Sequence, residues 1–517
     1  MLQLEVNGQQ VEVPDSGDTL LGLLRDHLGL SGPKDGCSPQ GQCGCCTVLV
    51  DGQPRVACVT PARRVRGRSV TTIEGLAPER QQAWGDALCA TGGSQCGFCT
   101  PGIVLRLENL AAQPETTEAA VDQSLLAHLC RCTGWQTISE AFRLVADGQP
   151  VDLSGRDLEA ASRRAELEGR QPQRVSPEVA LGRGGFAADT APSDSLRAIP
   201  DGSGGWVVGE TLHEARVAAA KTQGRRTTAG HTWPLEVPEG QWEARLRTTW
   251  VEPGYLETDA AWSQPGGEPS SPLANGGAFG AKTSSPIGVA ARELADLHNR
   301  PVLALASRED TVQWGPKRPP VAGGANADGT GHLRVVATPG VAEAIALVAP
   351  GLTVEEVEVV GPSTSVGIRG AGWTEAVVLL AGARGEVGTV TAPNGAEASA
   401  DVVREPDGSI SQLSVAVRCG EVLDDVVLRS YCIGAAHMAY SWVTSEALMV
   451  DDEGEVHDLT IRSFGITRAI DMPTVDVVIH PDEGEPVNGS DAVFAAVAAA
   501  VWLSSECTTE WPVGSAT

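Results

Sequence analysis

Eight cysteines, in two groups of four, dominate the chemistry this sequence can offer. The first group lies in the stretch from Gly36 to Cys58, which holds five of the thirteen cysteines of this 517-residue chain. Cys37, Cys43, Cys46 and Cys58 stand at C-x5-C-x2-C-x11-C spacing. The first three sit among Gly36, Gly41 and Gly44, and a loop curling round a ligand needs such residues because its N–H groups must turn inward. The spacing is close to the C-x4-C-x2-C…C ligand pattern of a [2Fe–2S] cluster, with one residue more in the first gap. Cys45 is the spare and is expected to point away. A structural zinc ion competes, but zinc usually takes two well-separated C-x2–4-C knuckles. Disulfides would need an oxidising compartment. The second group, Cys96 and Cys99 in SQCGFCTPG with Cys130 and Cys132 in LCRCTGW, supplies four more thiols. A lone C-x2-C is a weak signal; two pairs directly after a first four-cysteine site are a strong one.

The secondary structure that holds these cysteines is legible nearby. Residues 1–13 alternate Leu2, Leu4, Val6 and return through Asn7-Gly8 to Val11 and Val13, a hairpin pattern. Thr19 is placed to cap a helix carrying Leu20, Leu21, Leu24 and Leu28 on one face. Extended runs Thr47–Val50 and Arg55–Ala57 flank the Asp51-Gly52 turn, and another runs from Ser69 to Ile73. Hairpin, helix, loop, hairpin is a β-grasp pattern like that of plant-type ferredoxins, closing near residue 75. Four helices follow, Glu79–Ala90, Pro101–Ala112, Glu118–Leu129 and Gln136–Val145, with Pro101 suited to a first helical position. Their short connections bring the second set of thiols to one end of a bundle. Residues 149–178 are polar, Arg/Glu-rich and interrupted by prolines, and read as a linker crossing a surface.

A cluster loop, then QCGFCTPG, then CRCTGW, in that order, resembles the iron–sulfur portion of the molybdenum hydroxylases, the xanthine dehydrogenase and aldehyde oxidase family, over residues 1–148. The resemblance implies two [2Fe–2S] clusters, an outer one on Cys37, Cys43, Cys46 and Cys58 and an inner one on Cys96, Cys99, Cys130 and Cys132. It also implies that Gln95 lies near a molybdopterin. From 179 to 517 the likeness thins: GRGGFAADTAPSDSL (182–196), WVEPGYLETDAAW (250–262), GGAFGAK (276–282), IRGAGWTE (368–375), RCGEVLDD (418–425) and the stretch from Tyr431 to Leu448 resemble pieces of the family's molybdenum-binding portion. Gly276, Gly277 and Gly280 would let backbone amides approach an oxygen ligand closely.

This second portion is only about half the size such a domain needs, no glutamine–glycine loop stands between Gly340 and Gly361, and no FAD-binding segment follows residue 178. The family's catalytic carboxylate aligns with Ser490, which reads instead as an N-cap with Asp491 in the first turn of an Ala492–Trp502 helix. A rival register puts Glu485 there. A hydroxyl of ordinary acidity cannot serve as the base near neutral pH. The expected fold is therefore α+β, with a ferredoxin-like domain (1–75), a four-helix [2Fe–2S] domain (76–148), a linker (149–178) and a shortened molybdenum-domain-like region (179–517). The expected function is electron transfer within a hetero-oligomeric molybdenum-dependent oxidoreductase, with molybdopterin and FAD on partner chains and the carboxyl-terminal region serving assembly. The alternatives are a compact complete hydroxylase using Glu485 and a scaffold whose clusters are structural.

A formal charge of −28 disfavours nucleic acid and anionic membrane as partners. Neither a basic start with an apolar h-region nor an eighteen-residue apolar run is present, so a cytoplasmic protein without a membrane span is expected. The nine histidines form no H-x3-H or H-E-x-x-H motif. Cys89, Cys419, Cys432 and Cys507 read as buried small hydrophobes, Lys282 and Arg369 as surface or core-edge charges with a substrate-side role as the alternative, and Ala495–Ala500 as a small-residue helix face for tight packing.

Overall fold

The computed structural model describes residues 1–113, 116–220, 227, 229–271, 276–282 and 285–514. The amino-terminal hairpin forms as its pattern dictates, Leu2–Val6 against Gln9–Val13 around Asn7-Gly8. It extends into a five-stranded sheet in the order Gln9–Val13, Leu2–Val6, Ser69–Thr71, Thr47–Val50, Gln53–Val56, the second and third strands being parallel. Thr19 caps the crossing helix, its Oγ1 accepting from Gly22 N at 3.1 Å, and Leu20, Leu21 and Leu24 are buried beneath it. Only Leu20–Gly22 is α-helical, however; Leu23–His27 widens into a π turn.

The four following helices run Pro78–Thr91, Thr100–Ala111, Glu118–Leu125 and Gln136–Ala146. The third stops short of Leu129 because His128 turns inward, its ring lying against Gly44 of the first cysteine loop and its Nε2 3.2 Å from Thr47 Oγ1. Burial lowers its pKa to about 3, so the imidazole is neutral.

The polar stretch 149–178 does not simply cross a surface. Leu158–Gly169 is a helix whose Ala161, Arg164, Ala165 and Glu168 are buried. Arg164 is satisfied by the Glu421, Val422 and Val487 carbonyls and by Glu168. These charges look solvated in the sequence because the carbonyls that receive them lie more than 250 residues away.

The described residues of the remainder form three four-stranded sheets. Trp206–Gly209, Leu196–Pro200, Val302–Leu305 and Ala260–Ser263 form one; Leu352–Val357, Gly331–Val336, Val321–Ala325 and Ala244–Arg247 the next. The last is Val390–Thr391, Glu397–Arg404, Ile410–Arg418 and Thr474–Ile479. Asp425–Thr444 and Ser490–Ser504 pack on each other, and the latter also on Trp373–Arg384 and the Glu397–Arg404 strand. Ala495–Ala500 is thereby buried within the chain. One continuous apolar core includes the cysteine-bearing segments and these helices, so the two halves fold against each other. No helix among the described residues is long and apolar enough to cross a membrane.

Candidate metal centres

The fold gathers the eight cysteines into two sets, all buried and none disulfide-bonded. In the first set the thiols are hydrogen-bonded neighbours in the order Cys43, Cys37, Cys58, Cys46. In the second the order is Cys99, Cys130, Cys132, Cys96, with the last two sulfurs 3.6 Å apart. One thiol in each set is held well below its ordinary pKa by its neighbours: Cys37 by Cys43 and Cys58, and Cys130 by Cys132 and Cys99. Their partners Cys43, Cys58, Cys99 and Cys132 are pushed up. Among the described residues no three His, Cys, Asp or Glu side chains converge to hold a single metal ion. A zinc ion needs four donors at about 2.0–2.3 Å round one centre. A row of four thiols suits a binuclear cluster ligated by four cysteines better. Donors already aim at the sulfurs: Gln42 N to Cys37 Sγ and Cys58 N to Cys46 Sγ, both 3.4 Å, and Thr133 Oγ1 lies 3.2 Å from Cys130 Sγ.

Cys45 departs from expectation. It does not point away: its thiol hydrogen-bonds with Cys43, and a Cβ on Gly36 would lie 3.2 Å from both sulfurs. It stands between the sets, close enough for its charge to act on Cys99 and for that of Cys130 to act on it. The sets meet where Gly102, in the first turn of Thr100–Ala111, abuts the Gly44 carbonyl; a Cβ there would be 2.4 Å from that oxygen.

The carboxyl-terminal half seals the second set. Gly277 of the 276–282 loop lies over Cys132, where a Cβ would be 3.0 Å from Sγ. Gly434 meets the Cys132 carbonyl. Arg131, between the two cysteines, donates to Pro253 O at 2.9 Å and forks onto the Glu446 carboxylate, both side chains being buried. Glu446 carries no signal in the sequence.

Gln95 is 6% exposed, and its Nε2 donates to Cys132 O at 3.0 Å and Ser430 Oγ at 2.9 Å. Its Oε1 has no hydrogen-bond partner among the described residues, but the void beside it is about 10 Å³. The void between Arg131, Ala278, Arg369 and Met438 is about 20 Å³. That is room for about one water, whereas cofactor pockets run from ~300 Å³. Among the described residues, neither of these two voids has room for a molybdopterin. The space around them is filled by packed side chains, with Arg369 over the Phe279 ring at 4.1 Å and Phe279 edge-on to Tyr431. A cavity of about 720 Å³ does exist, between residues 18–39 and residues 186–305. It touches neither the 276–282 nor the 368–375 loop, and its cations are paired: Arg25 and Lys34 with Asp189, Arg197 with Asp26, Arg216 with Asp35.

Ser490, one of the two residues the resemblance sets against the family's base, is buried and its Oγ accepts from Arg369 Nη2 at 3.1 Å. The helix is capped not by Ser490 but through Glu168, whose carboxylate accepts from Gly489 N and Ser490 N at 3.0 and 2.9 Å. A carboxylate at a helix amino terminus is favoured by the free N–H groups. Asp491 pairs with Arg369 and Arg170. Glu485 is exposed on the preceding loop. Lys282 is buried on Glu257 at 3.1 Å. Cys89, Cys419 and Cys432 are buried as expected, and Cys507 is half-buried.

Burial raises the Glu257 pKa from 4.5 to about 7 against the opposing pull of Lys282. An acid whose folded value lies above its unfolded one destabilises the fold as pH rises between the two. The urea midpoint is expected to fall between about pH 5 and pH 8, by the equivalent of about 3 kcal/mol. Glu257→Gln should remove that slope; an unchanged slope would refute the assignment.

Residues 72–143 match the [2Fe-2S] binding domain family. The chain is 41% identical over 156 residues to the nicotine 6-hydroxylase small subunit of Paenarthrobacter nicotinovorans, covering 30% of this chain and 93% of that one. It is 39% identical over 169 residues to xanthine dehydrogenase/oxidase of Felis catus, covering 30% of this chain and 13% of the cat protein. The aldehyde oxidoreductase of Desulfovibrio gigas shares the fold over 99% of both chains, with a TM-score of 0.70 at 14% identity. The chain belongs to the molybdenum hydroxylase family and carries a [2Fe–2S] binding domain over residues 72–143.

Proposed function

We propose that this chain is the iron–sulfur electron-transfer component of a molybdenum hydroxylase-type oxidoreductase. Its outer [2Fe–2S] cluster is on Cys37, Cys43, Cys46 and Cys58, in a ferredoxin-like domain of residues 1–75. Its inner cluster is on Cys96, Cys99, Cys130 and Cys132, in the helical domain 76–148. The observation that carries this reading is the pair of four-thiol rows, joined through Cys45 and the Gly44–Gly102 contact. Each cluster, when bound, supplies a one-electron redox centre. The chain's own residues bury the sulfurs, donate N–H groups to Cys37 and Cys46, and exclude water with the 276–282 loop and the Asp425–Thr444 helix. Such hydrogen bonds and burial set cluster potentials. Molybdopterin belongs to a partner chain, because the voids beside Gln95 and Arg369 hold about one water at most, and FAD to another, since the stretch after residue 178 does not read as an FAD-binding segment. Gln95 then acts within the chain, its Nε2 holding the Cys132 carbonyl and Ser430, and not as a contact to a pterin. The region 179–517 serves assembly and insulation in a cytoplasmic hetero-oligomer.

Agreement with an aldehyde oxidoreductase over 99% of the chain favours a second reading, a compact complete hydroxylase. Against it stand the exposed Glu485 and the burial of Ser490 against the Arg369–Asp491 ion pair. Spectroscopy on cysteine variants tests the assignment. Cys58→Ser and Cys132→Ser should each remove one of two electron paramagnetic resonance signals, while Cys45→Ser keeps both. Loss of a signal in Cys45→Ser would reassign the ligands.

A further inference from the structure

The cavity of about 720 Å³ has walls drawn from both halves of the chain. Leu21 and Leu28 line it from the amino-terminal half, Leu303 and Leu305 from the carboxyl-terminal half, and the exposed Gly29 and Ser193 stand on its rim. Protein interiors are close-packed, with few voids larger than a water molecule; this one has the size of a small-molecule site, ~300–1,000 Å³. Each lysine and arginine on its wall is already paired with a carboxylate. Its acceptors are less well served. Asp18 is 5% exposed and has no lysine or arginine partner among the described residues. Its Oδ1 accepts from Thr19 N at 2.6 Å, but Oδ2 has no hydrogen-bond partner among the described residues. His27 Nε2, which also lacks one there, stands 3.9 Å from that oxygen, beyond hydrogen-bond reach. Asp35 gives Oδ2 to Arg216 and leaves Oδ1 unpartnered among the described residues. Burial pushes the Asp18 carboxyl pKa up, against the pull of the Thr19 N–H and of His213. Buried acceptors left unmade are costly. An ammonium group, reaching ~2.8 Å to each acceptor, spans the gap between Asp18 and His27.

We propose that this cavity binds a small organic cation with an apolar body, its ammonium group held between Asp18 and His27 and its body among the leucines of the two halves. The site stands apart from the two thiol rows and does not depend on the electron-transfer reading. An anionic ligand is disfavoured, because the wall offers no unpaired lysine or arginine and the chain carries a formal charge of −28.

The test titrates the full chain in a calorimeter with three probes that share one ring system: naphthylmethylamine, naphthylmethanol and naphthoate. The amine is expected to bind about tenfold tighter than the alcohol, the margin of a hydrogen bond to a charged group, and the carboxylate not to bind. Asp18→Asn keeps an oxygen for Thr19 N, and should bring the amine down to the affinity of the alcohol. Leu28→Trp and Leu305→Trp fill the cavity from the amino-terminal and the carboxyl-terminal half, and each should abolish binding of both probes while the circular dichroism spectrum stays that of the parent. Either tryptophan variant suffices if the other fails to fold. Binding that survives a tryptophan in a folded variant, or no binding of any probe, would overturn the site. Equal affinity for all three probes, or an amine affinity unchanged in Asp18→Asn, would overturn the assignment of a cation.

Discussion

Replacing Gly434 by valine is expected to abolish the inner cluster while leaving the outer one. Gly434 lies in the buried Asp425–Thr444 helix, and a Cβ there would fall 1.7 Å from the Cys132 carbonyl oxygen and 2.9 Å from its carbon. Those are backbone atoms and cannot rotate aside. Helix propensity alone would favour the change, since glycine in a helix interior costs about 0.5–1 kcal/mol relative to alanine. The steric term dominates, at or beyond the upper end of the ~1–3 kcal/mol typical of overpacking. The contact is reciprocal: a Cβ on Gly134, two residues after Cys132, would lie 2.8 Å from the Ile433 carbonyl. The turn carrying Cys130 and Cys132 is thus clamped to a helix far along the chain. Iron should fall from about four to about two atoms per chain, with loss of one of two resonance signals. A Gly434→Val protein with both signals intact would show that the carboxyl-terminal helix does not shape the inner site.

Glu446→Ala should be almost as damaging. It leaves Arg131 buried beside Cys130 and Cys132 with only the Pro253 carbonyl as partner. Removing one member of a buried pair costs about 3–5 kcal/mol, because the other charge is left uncompensated. Replacing both by apolar residues of similar volume, Arg131→Met/Glu446→Leu, should recover most of the stability in denaturant titrations. The milder Glu446→Gln keeps the shape and removes a negative charge near the sulfurs. It should raise the inner potential, by about 59 mV for each tenfold change in the oxidised-to-reduced ratio, and leave the outer one in place. Equal movement of both potentials would point to general loosening rather than local electrostatics.

These two sites also separate what is written locally in the sequence from what is not. The amino-terminal elements are legible because local chemistry specifies them: Asn7-Gly8 turns the first hairpin, Thr19 caps its helix, and cysteine spacing marks both thiol sets. The small-residue face Ala495–Ala500 is legible as a tight contact. Hidden features depend on partners distant in sequence. Glu168, in a stretch that reads as a solvated linker, caps the helix that begins at Ser490, so the expected self-capping by Ser490 does not occur. Glu446 pairs with Arg131 from 315 positions away. Arg164, Arg308, Lys317 and Glu375 are all buried, although composition places such residues at the surface. Cys45 looks like a spare pointing outward because spacing fixes which cysteines share a loop, not which way a fifth side chain turns.

The decisive measurement is the metal content of the chain, before and after its partners are stripped away. About four irons per chain are expected, with two distinguishable [2Fe–2S] signals and molybdenum that leaves with the partner. One molybdenum retained on the isolated chain, with turnover lost in Glu485→Gln, would contradict the electron-transfer role and establish the compact hydroxylase instead.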